Sequence, residues 1–182
     1  MNVSVDVVWI GRGGQGAVTA AMLLAQAALN RGLYAIAMPF FGAERRGAPV
    51  FAYNKVSDTV IYSRSRVEQG DIIAVMDPSL LSIYKVERLV KKGGSVLVSG
   101  TDCLKVEGIK TYTLDAVGIA EDLGLKVAGF PLVNMPMLGG VARVSGLVGE
   151  GELVDAVKQL IKSHVEKNIE AVRRGLLNVK SC

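Results

Sequence analysis

Short runs of aliphatic residues alternate with longer segments of helical period along almost the whole chain. Residues 3–10 predict a buried β-strand, rich in Val and ended by glycines. Residues 16–30, built on Ala, Leu and Met, predict a helix that stops with Gly32 at its C′ position. Residues 33–38 then form a second strand, halted by Pro39, and complete a βαβ opening. After a loop at 39–49, residues 50–56 and 59–63 alternate apolar and polar positions about Ser57-Asp58, the pattern of an antiparallel hairpin. Residues 71–76 read as another buried strand and 78–90 as a helix ending before Gly93-Gly94. Strands at 95–99 and 109–114 follow, then a short helix at 115–123 with Asp115 as its N-cap.

The last third is helical. Residues 134–147 are apolar and glycine-interrupted, with Asn134 as N-cap and Pro136 in the first turn. Residues 152–164 are amphipathic, and 166–177 carry Lys and Arg on a wet face. The pattern predicts one domain over residues 1–182. Its class is α/β: a layered fold with a mostly parallel sheet, an antiparallel hairpin insertion and a helical C-terminal third.

Composition narrows the chemistry. A chain of 182 residues, 50% of them apolar, can build a sizeable core without disulfide or metal staples. Its net charge of +4 is too small for nucleic-acid binding without a concentrated patch. The first six residues carry no basic segment, and the uncharged run between Arg12 and Arg31 suits a soluble helix, so a cytoplasmic location without membrane contact is expected. Yet the mean hydropathy of +0.36 is high, which predicts apolar surface buried against another chain. Cys103 and Cys182, 79 positions apart, form no Cys-x-x-Cys motif and are expected to be unpaired. The one histidine, His164, falls in a Lys/Glu-rich helical stretch and is expected to be exposed. No catalytic residue and no metal ligand set emerges. Asp77-Pro78 fits a strand-to-helix junction as well as a catalytic acid. Gly-Asp-Gly, Walker and Gly-x-Ser-x-Gly motifs are all missing.

Three segments remain dense in special residues. Gly11-Arg12-Gly13-Gly14-Gln15-Gly16 fits G-x-G-x-x-G between a strand and a helix, where backbone N–H groups can face an anion. Phosphate binding and close packing explain it equally well. An NAD ribose needs an acid at the end of the second strand, but that strand ends Ala37-Met38-Pro39-Phe40. Arg12 suits a charge-assisted phosphate contact. The second segment runs Pro39-Phe40-Phe41-Gly42-Ala43-Glu44-Arg45-Arg46-Gly47-Ala48-Pro49. It suits recognition of a partner chain or of an anionic acyl acceptor, against the alternative of a solvated loop in which Glu44 pairs with Arg45 or Arg46. The third, Phe130-Pro131-Leu132-Val133-Asn134-Met135-Pro136-Met137-Leu138-Gly139-Gly140, suits a helix start pressed against another surface or, equally, core packing.

Together, in this order, GRGGQG, FGAERRGAPV and NMPMLGG resemble the gamma subunits of 2-oxoacid:ferredoxin oxidoreductases over residues 3–177. Each motif alone is weak; the set is specific. The FGAERRGAP form is similar to that of pyruvate and 2-ketoisovalerate members rather than 2-oxoglutarate ones, while Gly13 stands where relatives often carry Ala. The resemblance implies a Rossmann-like unit, inactive alone. It also implies a complex in which alpha-, beta- and delta-type subunits hold thiamine diphosphate, Mg2+ and [4Fe–4S] clusters and pass electrons to ferredoxin. This chain would help coenzyme A dock at Gly11–Gly16. Phe41, Glu44, Arg45, Arg46, Asn134 and Met135 would touch partners or the acyl acceptor. The alternatives are a stand-alone NAD(P)-dependent reductase and a scaffold without a small ligand.

Overall fold

Strand β1 (Ser4–Arg12) alternates two sets of buried side chains, and that alternation sorts the whole molecule. Val7 and Trp9 face one layer, Val8 and Ile10 the other. The computed structural model describes residues 3–40 and 47–182. Helix α1 (Ala17–Asn30) returns the chain across the Val7/Trp9 face. It ends on Gly32 at φ 85°, with Gly32 N–H donating to the Leu29 carbonyl and Leu33 N–H to the Ala28 carbonyl, the double bond expected of a C′ glycine. Strand β2 (Tyr34–Phe40) follows, then β3 (Pro49–Ser57), β4 (Gly70–Val75), β5 (Val90–Ser99) and β6 (Lys110–Leu114). Helix α2 (Ala116–Asp122), a small hairpin of β7 (Lys126–Val127) and β8 (Phe130–Pro131), helices α3 (Asn134–Ser145), α4 (Glu150–Leu160) and α5 (Val165–Leu177), and strand β9 (Lys180–Ser181) complete the chain.

The sheet order is β2-β3-β1-β4-β5-β6-β9. Strands β1, β4, β5 and β6 are parallel, whereas β3 runs antiparallel to both β1 and β2, and β9 antiparallel to β6. The expected α/β class with a mostly parallel sheet and an antiparallel element therefore holds, but the pairings differ from those predicted. Residues 59–63 form no strand; the partners of β3 are β1 and β2, so the βαβ opening has a third strand wedged into it. Pro39 does not halt β2, which runs on to Phe40, because an edge strand can spare a donor.

All five helices contribute to one apolar layer, packed on Val7, Trp9, Ala74 and Leu97 of the sheet. The opposite face is covered by Val67, Leu80, Val86 and the partly buried Val106 and Ile109, none of them in an α-helix. The predicted helix at 78–90 is two 3₁₀ turns, Pro78–Ser82 and Val86–Arg88. Asp77 caps the first by accepting from Ser79 N–H, and Leu80 and Val86, six residues apart, are both buried, a spacing a regular helix would not place on one face. Strand β5 starts earlier than expected, at Val90. The extra residues pass through a register shift opposite Gly70 and Ile72.

Two features tie the layers together. The indole Nε1 of fully buried Trp9 donates to Asn54 Oδ1 at 2.8 Å, and Asn54 Nδ2 donates to the Ala21 carbonyl at 2.8 Å, so β1, β3 and α1 share one satisfied polar chain. Helices α3 and α5 meet at glycines: a β-carbon at Gly139 would strike the Val172 carbonyl oxygen, and one at Gly175 the Pro136 carbonyl oxygen. The NMPMLGG segment is thus built for backbone-to-backbone approach.

The expectation of two unpaired cysteines is overturned. Cys103 and Cys182 form a disulfide, which ties the loop after β5 to β9 at the sheet edge. A separation of 79 residues hid this, since strand pairing, with Cys182 N–H donating to the Thr111 carbonyl at 2.9 Å, brings the ends together. Among the described residues no helix is long and apolar enough to cross a membrane.

Candidate functional site

The glycine turn, residues 47 and 48 ahead of β3, and the start of α3 come together at the carboxyl end of β1. Gly13 N–H donates to the Ala48 carbonyl at 2.9 Å, which joins the glycine turn to the residue just before β3. Inside the turn, Gln15 N–H donates to the Arg12 carbonyl, and Gln15 Oε1 accepts from Arg12 N–H at 2.7 Å. Gly14 and Gly16 hold φ of 96° and 85°, a conformation for which glycine is the unstrained residue. Gly16 also lies against Asn134: a β-carbon there would come within 2.5 Å of Asn134 Nδ2 and 2.8 Å of Cγ. The first motif is therefore packed onto the third.

Arg12 is used differently from the sequence expectation. Its Nε donates to Asp77 Oδ2 at 2.8 Å, Nη2 to Ser79 Oγ at 2.7 Å and Nη1 to the Gly47 carbonyl at 2.9 Å. Ser79 N–H and Asp77 Oδ1 close the cluster at 2.9 Å. Burial alone would raise the Asp77 carboxyl. The hydrogen bonds from Ser79 and the Arg12 guanidinium outweigh it and hold the carboxyl below its ordinary value. So Arg12 knits the glycine turn to the 3₁₀ turn and to Gly47 ahead of β3. The Asp77-Pro78 junction is the other half of that tie.

Helix α1 begins beside this knot with Gly16 as N-cap, no side-chain cap and no acid in its first turn. Its leading N–H groups border a cleft of about 580 Å³, a volume typical of small-molecule sites. Gly14, Gly16 and Thr19 form one wall; Lys126 and Val127 another; Ser163, His164 and Asn168 a third. Among the described lining residues there is no Asp or Glu, whereas Arg12, Lys126 and His164 all contribute. A helix N-terminus in such surroundings favours an anion.

Asn134 and Met135, expected at a partner surface, are instead 3% and 2% exposed within this chain's own interior, although both also line the cleft floor. Asn134 is not the N-cap of α3 but its first residue, with Oδ1 accepting from Met135 N–H, because Val133 already holds the cap position. Pro136 lies in the first turn as expected. Phe41, Glu44, Arg45 and Arg46 lie outside the described residues. Sequence reasoning missed Lys126, Asn168 and the role of His164. His164 is exposed, as expected, yet stands at the cleft rim. Nothing in its sequence neighbourhood signals that the α4–α5 turn folds back toward α1.

A glycine turn leads from β1 into a helix without a side-chain cap, and β2 ends without an acid, which makes this an α/β module with a Rossmann-like opening that lacks the acidic residue of the dinucleotide fingerprint. Residues 6–177 match the family model described as pyruvate ferredoxin/flavodoxin oxidoreductase. The chain is 42% identical over 170 residues to pyruvate synthase subunit PorC of Methanothermobacter marburgensis, covering 93% of this chain and 94% of that one. It is 40% identical over 179 residues to the common gamma subunit of the pyruvate/ketoisovalerate oxidoreductases of Thermococcus kodakarensis, covering 94% and 95%. The crystal structure of the pyruvate oxidoreductase subunit PORC of Thermotoga maritima superposes with a TM-score of 0.81 at 32% identity, over 98% of both chains. The chain therefore belongs to the pyruvate ferredoxin/flavodoxin oxidoreductase family, as a gamma-type subunit of an oxidoreductase complex.

Proposed function

We propose that this chain is the gamma-type subunit of a complex that oxidises pyruvate or 2-ketoisovalerate to the acyl thioester of coenzyme A, with electrons delivered to ferredoxin. Alpha-, beta- and delta-type chains would carry thiamine diphosphate, Mg2+ and the [4Fe–4S] clusters. In this chain the two cysteines are bonded to each other, and among the described residues no three His, Cys, Asp or Glu side chains gather as a metal site. When bound in the complex, thiamine diphosphate supplies the carbanion chemistry of decarboxylation. This chain's residues would bind and orient the acyl acceptor. The reading rests on one observation: the cleft at the start of α1 has cationic and neutral lining and an uncapped helix N-terminus, which suits a phosphate of coenzyme A.

In this reading the Gly11–Gly16 turn positions the N–H groups of Gly14, Gly16 and the first turn of α1, with Arg12 holding the turn rather than the ligand. Phe41, Glu44, Arg45 and Arg46 are proposed, on sequence alone, to contact partner chains. The test is calorimetry of the pure chain with coenzyme A and with NADH, beside 2-oxoacid oxidation by the chain alone and by the assembled complex. The expected result is saturable coenzyme A binding, no NADH binding, and activity in the complex only. Saturable NADH binding would restore the reductase alternative. Absence of coenzyme A binding would leave the chain an assembly scaffold.

A further inference from the structure

The α4–α5 turn has features that the reading above does not use. Among the described residues, two non-glycine positions adopt positive φ: Ala128 at 50° and His164 at 51°. His164, at the head of α5, lines the cleft, and Ala128, in the β7–β8 turn, follows Val127, which lines it too. His164 is held there by Asn168, whose Nδ2 donates to the Ser163 carbonyl at 3.2 Å and to the His164 carbonyl at 3.0 Å. Asn168 is 5% exposed and lines the cleft, yet its Oδ1 has no hydrogen-bond partner. A buried carboxamide oxygen left unpaired at a cleft wall is costly and marks a surface completed by a donor from outside the protein.

We infer that the turn 163–168 is a second ligand-contact surface of this cleft, in which His164 binds an anionic group remote from α1 and Asn168 Oδ1 accepts from an N–H or O–H of the same molecule. The inference rests on the coenzyme A reading and deepens it. The ligand is an elongated one bearing phosphate at one end and hydrogen-bond donors along its body. His164 lines the same cleft as Gly14, Gly16 and Thr19 at the start of α1, so one elongated molecule can touch both. Backbone strain of this kind persists only where surrounding bonds enforce it, as Asn168 does here.

The experiment is titration calorimetry of the full chain with coenzyme A and with 3′,5′-adenosine diphosphate, on wild type, His164→Gly and His164→Asn. A Lys162→Gln control removes a neighbouring charge that does not line the cleft. Glycine and asparagine both accept positive φ, so these variants keep the fold, and His164→Gly is expected to melt no lower than wild type. Each is expected to raise the coenzyme A dissociation constant about tenfold, the usual scale for losing one charge-assisted hydrogen bond. Lys162→Gln should leave it within twofold. Wild-type binding with His164→Gly and His164→Asn unchanged overturns the second contact surface alone. Absence of binding by wild type overturns this inference together with the coenzyme A reading.

Discussion

Gly16 and Asn134 face each other so closely that no side chain fits between them: a β-carbon on residue 16 would lie 2.5 Å from Asn134 Nδ2. Gly16 also holds φ at 85° as N-cap of α1. Two independent constraints thus act on one residue, conformational and steric. Gly16→Ala is expected to cost roughly 2–3 kcal/mol in urea unfolding. Asn134→Gly in the same chain should recover the steric part and leave the conformational part. A Gly16→Ala variant as stable as wild type would refute the packing of the first motif on the third.

The crossing of α3 and α5 depends on Gly139 and Gly175, each pressed onto a carbonyl of the other helix. Gly175→Ala should destabilise by about 3 kcal/mol or more through overpacking. Gly151, inside α4 with nothing within 4 Å of a built β-carbon and no positive φ, is the matched opposite. Gly151→Ala should stabilise by about 0.5–1 kcal/mol. Thermal melts of the two variants moving in the same direction would contradict this account.

Asp77 gives the fold an acid limit. Its carboxyl is held below the ordinary 3.8 by Ser79 and Arg12 against the opposing effect of burial. A depressed carboxyl contributes stability that is fully present above the unfolded value and is lost as pH falls through the folded one. Asp77→Asn should therefore lower the urea midpoint at neutral pH, and the two curves should converge below the folded value. Lys91 acts in the opposite sense. Burial lowers its pKa, but Asp6 and Asp71, at 2.7 Å and 2.9 Å, raise it overall, so its contribution holds below the ordinary 10.5 and fades as pH rises through the folded value. Urea midpoints across pH test both signs.

Reduction of the Cys103–Cys182 bond should loosen the sheet edge. Closing a loop of 79 residues restrains the unfolded chain by roughly 4 kcal/mol in the chain-entropy picture. Both cysteines are exposed, so a dithiol should reach them. The expected readouts are a mass gain of two alkyl groups after reduction, earlier proteolysis after β6, and a lower melting temperature. Equal melting with and without reductant would show that β9 pairing alone holds this edge.

Much of the architecture is local and was legible in the chain. Continuous runs rich in Val and Ile predicted β1 and β4, the Ala/Leu-rich stretch predicted α1, and Gly32 and Asp115 marked helix ends by the bonds they still make. The set of three motifs carried the family, because each motif is a short continuous string. The 3₁₀ turns were not legible, since Asp77-Pro78 reads as a helix start and the burial of both Leu80 and Val86 is set only where the β4-to-β5 connection packs on the sheet. Nor were the pairing of β3 between β1 and β2, the disulfide, and the cleft that gathers Lys126, His164 and Asn168 beside α1. These depend on contacts between residues far apart in sequence, whose energies exist only after the helices have packed on one face of the sheet. The sequence alone determined most of the elements and the kinship. Tertiary structure decided which glycines serve packing, that Arg12 answers Asp77, and which residues from distant segments line the cleft at the start of α1.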